Sequence, residues 1–331
     1  MKILLYCPFS FNLFSNNLIK IGGIETLNYE LAQKLAKINK LQIYLATDTK
    51  KIITINNIKN LPIKDLDKTK INFDVIISSN YSKIFNYFPN SKKIYWMHNT
   101  LSFEKALRKK ILFSLLFNKV KVVFVSKYLS NITSNLYLFN KRMVIPNFLS
   151  STFVNLKRNY SRKKIFVWSV KRDRGLKNVI DIWIKKIHPT NPEAKLYIYG
   201  INKKSFRKDI NFYKKHNIYF FGLVQKRILK KIYNKSLAMI CLGYDETFCL
   251  NALEANACGL PIITFGHTAL KDFTFNNKNG YLVNNYDELA KKINHLCKSK
   301  INKDIINYSY DYSKKFDLDK VLKFGLSYTL A

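Results

Sequence analysis

Short apolar, β-branched runs alternate with longer periodic segments along all 331 residues of this chain, and that alternation restricts the fold more than any other feature. The runs ILLY (3–6), LQIYLA (41–46), FDVIIS (73–78), KIYWM (93–97) and VVFVS (122–126) fill the first half. KIFVWSV (164–170), KLYIYG (195–200), IYFFG (218–222), LAMICL (237–242) and PIIT (261–264) fill the second. Strand-length runs separated by helix-length segments are the pattern of βαβ units and parallel sheets, so the chain is predicted to be α/β. Between the first two runs, Ile24, Leu27, Leu31, Leu35 and Ile38 keep the three-or-four spacing of a one-sided helical stripe. The length exceeds one ordinary core, and the pattern occurs twice, which predicts two doubly wound, Rossmann-like domains. The polar, pattern-poor stretch 149–162 marks the junction, giving domains over 1–150 and 151–300 and a helical segment over 301–331.

A hydrophobic content of 47% supports a well-cored protein. The formal charge of +36 raises the question of an anionic partner. The lysines are spread along a chain rich in Asn and Ile, without zinc-finger spacing, a basic zipper or an RNA-binding aromatic signature, so nucleic acid is not the expected partner. An anionic membrane surface fits better, since each basic residue near acidic lipid contributes on the order of 1 kcal/mol. No apolar run reaches the roughly eighteen residues that span a bilayer, and MKILLYCPFS leads into a strand without a secretory pattern, so a cytoplasmic location is expected. The five cysteines form no CxxC pair and have no histidine at ligand spacing, which predicts reduced, structural thiols and no metal.

The densest chemistry lies in YDETFCLNALEANACGLP (244–261), where the apolar run of 237–242 gives way to a loop entering a helix. Glu246 and Glu254 stand about two helical turns apart, so both carboxylates can share one face. Such a turn lies at the carboxyl end of a strand, where ligands bind in open α/β sheets, with free N–H groups of the first helical turn beside it. Two carboxylates beside an anion-binding helix start suit a ligand with hydroxyls and phosphates, such as a nucleotide-sugar.

Other strand ends carry further candidates. Gly22 and Gly23 open the first long helix and let bare backbone approach a phosphate, although no GxGxxG fingerprint is present and Asp48 is the one acid near the second strand. Lys171, Arg172, Asp173, Arg174 and Gly175 follow the strand of 164–170, a cationic turn suited to a departing diphosphate. His98 follows the run of 93–97 and can donate a hydrogen bond to a sugar hydroxyl or phosphate, more strongly when protonated. Gly222 to Val224 forms a loop after IYFF. The segment FEKALRKKILFSLLF, from Phe103 to Phe117, joins a basic half to Leu107, Ile111, Leu112 and Leu115 on and near one face, which suits a membrane interface or an ordinary core helix. Asp65 with Asp67 and Asp317 with Asp319 follow no strand edge and read as surface acids rather than metal ligands.

Together these motifs resemble the retaining glycosyltransferases of family 4, in which two Rossmann-like domains of the GT-B architecture face a central cleft. Glu246, Glu254, Ala255, Gly259 and Pro261 stand where the family pattern wants them. The resemblance covers about 22–288 and implies that Glu246 contacts the donor sugar, with Thr247 and Phe248 beside it, and that Glu254 holds the ribose. It sets Gly22 and Gly23 against the diphosphate, His98 near the sugar or phosphate, and Gly222 and Val224 beside the base. The family's Gly-Arg after the strand of 164–170 is replaced by Ser169 and a choice of Lys171 or Arg172, while Arg174-Gly175 stands for the family's Lys-Gly. Asn147-Phe148 departs from the family's Asn-Gly at the junction, and the terminal segment in the family often crosses back to the first domain. The implied activity is metal-independent transfer, with retention, of a hexose-like sugar from a nucleoside diphosphate to a hydroxyl of a surface-glycan or lipid-linked acceptor. Glu246, His98 and Arg174 are the expected catalytic groups, and the nucleoside-diphosphate sugar is a co-substrate with no separate cofactor. The rival readings are a nucleotide-sugar epimerase on the same fold and a non-catalytic basic binding module.

Overall fold

A computed structural model of the chain describes residues 1–7, 22–47, 49–170, 174–201 and 210–329. Lys171, Arg172, Asp173 and Asp48 lie outside the described residues. The chain forms two compact units, one of residues 1–150 with the last helix and the other of residues 151–317.

The first unit contains β1 (Lys2–Tyr6), α1 (Gly23–Leu35), β2 (Gln42–Thr47), β3 (Ile53–Ile55), β4 (Ile58–Pro62), β5 (Val75–Ser79), β6 (Lys92–Met97), α2 (Phe103–Arg108), α3 (Leu112–Phe117), β7 (Lys121–Phe124), α4 (Lys127–Ile132) and β8 (Lys141–Val144). Its eight strands run in the order β3-β4-β2-β1-β5-β6-β7-β8, all pairs parallel except β3 with β4. The central strands are apolar on both faces: Ile3, Leu4 and Leu5 of β1 and Val122, Val123 and Phe124 of β7 are buried. The β3–β4 hairpin was not anticipated. Asn56 and Asn57 make its two-residue turn with φ of 50° and 62°, the left-handed pair that a tight hairpin requires. Helix α1 closes at Leu35, so Ile38 lies in the following turn and is exposed rather than part of the buried stripe.

The second unit contains β9 (Ile165–Trp168), α5 (Leu176–Ile182), β10 (Lys195–Tyr199), α6 (Ile210–Lys215), β11 (Ile218–Gly222), α7 (Lys226–Tyr233), β12 (Ala238–Ile240), α8 (Leu250–Ala257), β13 (Ile262–Thr264), β14 (Gly280–Leu282), α9 (Tyr286–Lys298) and α10 (Lys303–Ser313). Six parallel strands follow the order β11-β10-β9-β12-β13-β14. All four residues of β9 are buried, so it is a central strand covered on both faces. The last helix, α11 (Leu318–Thr329), belongs with the first unit, where Lys34 of α1 pairs with Asp319.

Arg162 joins two helix ends of the second unit. Its guanidinium donates to the carbonyls of Tyr233 (2.7 Å), which ends α7, and Ser236 (3.5 Å), and of Cys258 (2.8 Å) and Gly259 (3.3 Å) after α8. A cation at two C-termini answers orphan carbonyls and both helix dipoles. Burial pulls its pKa down to about 10, which leaves it charged at neutral pH. Arg162→Met should therefore lower unfolding free energy by about 3 kcal/mol, read as a lower urea midpoint, because carbonyls bound to a charged donor lose it without replacement. Arg162→Lys should restore only part, since one ammonium cannot reach four carbonyls in a fork.

Candidate functional site

β9 has β10 on one side and β12 on the other, while the chain leaves it first for β10 and reaches β12 later. The loops after β9 and β12 therefore diverge at a topological switch point, the position where open α/β sheets bind ligands. Arg174 comes from the first loop and Glu246 from the second, and the two form an ion pair. Both are mostly shielded, with side chains 19% and 13% exposed. Burial pushes the Glu246 carboxyl above its usual range against the opposing pull of Arg174. Gly175, which follows Arg174 and begins α5, has φ of 94°, and a Cβ there would lie 2.8 Å from both Leu242 Cδ1 and the Tyr286 hydroxyl. Glycine is what lets the chain at 175 adopt this left-handed conformation so close to Leu242 and Tyr286.

Residues 241–249 are tied down along their length. The backbone N–H of Ala269 donates to the Glu246 carbonyl at 3.2 Å, and the Thr268 hydroxyl donates to the Gly243 carbonyl at 2.6 Å. Phe248 is buried, with its ring 5.7 Å from Phe273 and 6.1 Å from Phe316. Thr247 lies between Glu246 and this anchor. Cys249 starts α8 with φ of 66°, so the helix begins at Leu250 and Glu246 stands outside it. The two glutamates consequently do not share a helical face, in contrast to the spacing argument. Glu254 is inside α8 with 1% of its side chain exposed, and it pairs with Lys226, the first residue of α7. That contact brings the 222–225 loop to Glu254, because Gly222 and Val224 lead directly into α7. Gly222 has φ of 66° and open space where a Cβ would point. Asn251 donates its side-chain amide to the Ser169 carbonyl, and the Ser169 and Tyr233 hydroxyls lie 2.7 Å apart behind it.

Arg174, Glu246, Glu254, Gly222 and Val224 thus all belong to the carboxyl edge of one sheet. Lys226 was missed by sequence reasoning. In a chain with 57 Lys and Arg residues, no local signal separated it from surface lysines.

Gly22, Gly23 and His98 belong to the first unit. Gly22 precedes α1 with extended backbone and its carbonyl accepts from the Thr26 backbone N–H at 3.1 Å, while the Glu25 carboxylate lies where a Cβ on Gly22 would point. His98 follows β6, and its backbone N–H donates to Asn80 Oδ1 at 2.8 Å, a role for Asn80 that the sequence did not suggest. The ring is buried and lies 4.6 Å from Trp96, and burial pushes its pKa down to about 3. His98 is therefore a neutral imidazole at physiological pH, and the expected strengthening by protonation is absent.

The 103–117 segment is two short helices, broken at Lys109-Lys110-Ile111 where Lys110 has φ of 55°. Ile111, Leu112 and Leu115 turn into the core, while Leu107, Phe113 and Phe117 are 57%, 62% and 78% exposed. The Phe113 and Phe117 rings stack 6.1 Å apart at 3° beside exposed Arg108, Lys109 and Lys110. No helix among the described residues is long and apolar enough to cross a membrane.

Residues 151–312 match the family model described as glycosyl transferases group 1. Over that region the chain is similar to the group 1 glycosyltransferases. The two-sheet architecture is that of GT-B glycosyltransferases. The HepE protein of Anabaena, solved with UDP and glucose, superimposes with a TM-score of 0.68 at 15% identity, covering 99% of this chain and 98% of that one. WaaG, a glycosyltransferase of lipopolysaccharide biosynthesis, gives a TM-score of 0.68 at 11% identity and covers 99% of both chains. The pneumococcal O-GlcNAc transferase GtfA, solved with UDP and GlcNAc, gives 0.59 at 15% identity over 81% of this chain, which spans 58% of GtfA. Among curated proteins, a DNA-directed RNA polymerase subunit beta of Carsonella ruddii (strain PV) is 28% identical over 262 residues, which is 76% of this chain and 19% of that subunit. At that identity and coverage it carries no functional statement.

The second unit has Arg174, Glu246 and Glu254 at its own sheet edge, whereas the His98 environment makes a stability prediction for the first unit. The folded-state pKa of about 3 lies below the ordinary value of 6.5, so the fold prefers the neutral ring. The unfolded chain takes up the proton first, and stability present above about pH 6.5 is lost as pH falls toward 3. Between pH 7 and 5 this should remove about 2 kcal/mol. Urea unfolding at both pH values should show that loss in the wild type and a smaller one in His98→Asn.

Proposed function

We propose that this protein transfers a hexose-like sugar, with retention, from a nucleoside diphosphate to a hydroxyl of a glycan or lipid-linked acceptor. The observation that carries the reading is the meeting of Arg174 and Glu246 at the switch point of a group 1 glycosyltransferase domain, with Glu254 fixed one helix later. Departure of the diphosphate builds negative charge on the phosphate and oxocarbenium character at the anomeric carbon. Arg174 takes up the phosphate charge, assisted by Lys171 or Arg172, without a divalent cation. Positioned cations help most where charge develops, because they need no reorganisation in the transition state. Glu246, released from Arg174 as the phosphates bind, orients the sugar and offsets the positive charge at its anomeric carbon. Glu254, oriented by Lys226, accepts hydrogen bonds from the ribose hydroxyls. Gly22 and Gly23 offer backbone to the diphosphate, Gly222 and Val224 flank the base, and Thr247 and Phe248 hold the loop that presents Glu246. His98, neutral, supplies a hydrogen bond to the donor without adding charge. Attack on the face the diphosphate leaves, assisted by that phosphate, accounts for retention. Solved structures of the same fold hold UDP with glucose or GlcNAc, which makes a uridine nucleotide the first donor to test.

Thermal melting against UDP, GDP, ADP and CMP tests the reading. One nucleotide at about a hundred times its dissociation constant should add roughly 2.7 kcal/mol of stability. A folded protein indifferent to all four overturns it. Glu246→Gln should lower kcat on the order of 10²-fold while changing nucleotide affinity less than about tenfold. Glu254→Gln should do the reverse, weakening the nucleotide by about tenfold through the loss of a charged acceptor. Product formed from donor alone, with its sugar epimerised, would favour the epimerase instead.

The exposed Phe113 and Phe117 rings, Leu107 and the basic run 108–110 support peripheral attachment to the anionic, cytoplasmic face of a membrane, beside a lipid-linked acceptor. Phe113→Ser/Phe117→Ser should reduce sedimentation with phosphatidylglycerol vesicles at least about tenfold while leaving nucleotide-induced stabilisation unchanged. Equal sedimentation would place attachment elsewhere.

A further inference from the structure

The loop that presents Glu246 is bounded by two thiols, Cys241 at the end of β12 and Cys249 at the start of α8. Their Sγ atoms lie 3.5 Å apart, and a Glu246 carboxylate oxygen completes a triangle in which every ligand atom is within 4.8 Å of the others. Among the described residues this is the one grouping of three such atoms close enough to share an ion. Both thiols are buried, Cys241 at 1% and Cys249 at 7% exposure, and the Glu246 side chain is 13% exposed.

We propose that Cys241, Cys249 and Glu246 form a binding site for a thiophilic divalent cation of the zinc type, which, when bound, withdraws Glu246 from Arg174. Two bonds of about 2.3 Å from zinc to sulfur at a tetrahedral angle set the sulfurs about 3.8 Å apart, close to the 3.5 Å separation present. A disulfide requires about 2.05 Å, a much larger closure. Two thiolates and one carboxylate select a zinc-like ion over magnesium or calcium, which prefer oxygen alone. The charges also close: three anionic ligands face a divalent cation and the neighbouring Arg174 guanidinium. Binding releases both thiol protons to solvent, so apparent affinity rises with pH. Three protein ligands leave the fourth tetrahedral position to water. The site is separate from the transfer chemistry, in which Glu246 acts without a metal, and an occupied site opposes it.

Cobalt titration of the full chain under a thiol-free reductant reads the site directly, without reference to activity. One equivalent of Co²⁺ should produce a thiolate-to-cobalt charge-transfer band and the visible bands of a tetrahedral site, and Zn²⁺ should bleach both. Cys241→Ser or Cys249→Ser should each weaken binding by at least the 10–100-fold that loss of a supporting group costs in known sites. Glu246→Gln should keep the thiolate band at lower affinity, and Cys297→Ser should change nothing. Folded wild type without a thiolate-to-cobalt band, or a band that survives Cys241→Ser/Cys249→Ser, overturns the proposal. Because the readout is spectroscopic, it stands or falls independently of nucleotide binding.

Discussion

β9 is a strand of four residues with no exposed side chain, hydrogen-bonded in parallel to β10 on one side and β12 on the other. Parallel neighbours cannot be joined by a tight turn, so each connection must travel through a helix and return. The chain leaves β9 toward β10 and only later arrives at β12, so the connections after β9 and β12 run to opposite sides of the sheet. Main-chain groups at the top of that gap have no ladder to join. Arg174, Glu246 and Asn251 fill it, with Asn251 supplying the Ser169 carbonyl with a donor. The position of the site is thus a consequence of strand order, and its chemistry a consequence of which side chains the two loops place there.

The ion pairs at this edge are poor devices for stability. Partial burial strips solvent from Glu246, and its carboxyl is raised above the ordinary range even with a guanidinium in contact. A buried pair often does no better than two packed apolar side chains, whereas losing one partner leaves a charge that costs about 3–5 kcal/mol. Glu254 at 1% exposure is in the same condition, dependent on Lys226. Arg162 offers the contrast, since its charge is used on the C-terminal carbonyls of two helices and serves the fold. On the transfer reading, Arg174 and Glu246 accept a weak mutual pairing because each has a stronger partner in the donor.

Legibility in the sequence followed burial. The inner strands β1, β2, β5, β6, β7, β9, β10 and β12 are apolar on both faces and stood out as continuous runs. The short strands β3, β4, β8 and β14 did not, because three to five residues with polar members carry too little pattern, and the Asn56-Asn57 turn of the one hairpin went unread. Glu246 and Arg174 were identifiable because each follows an apolar run, and Glu254 because its spacing from Glu246 and its Ala255, Gly259 and Pro261 neighbours matched the family pattern. The helix start was misplaced because Cys249 adopts a left-handed conformation that few non-glycine residues favour. Lys226 was invisible, since a charge among dozens acquires meaning only from the carboxylate opposite it. The 103–117 segment read as one amphipathic helix because its periodicity survives the break at Lys110, yet the break rotates Phe113 and Phe117 outward.

Glu246 is the shared element of three arrangements: the pairing with Arg174, the proposed contact with a donor sugar, and the triangle with Cys241 and Cys249. One carboxylate cannot complete all of them together. If a thiophilic cation holds Glu246 and the donor requires it, the two ligands oppose one another, and linkage demands that each weaken the other by the same factor. The strength of that opposition depends on how much of the donor's binding energy passes through Glu246 rather than through Glu254 and Lys226, which lie on other elements of the same sheet edge. A donor held mainly by its ribose would tolerate the cation and lose turnover. A donor held mainly by its sugar would be expelled.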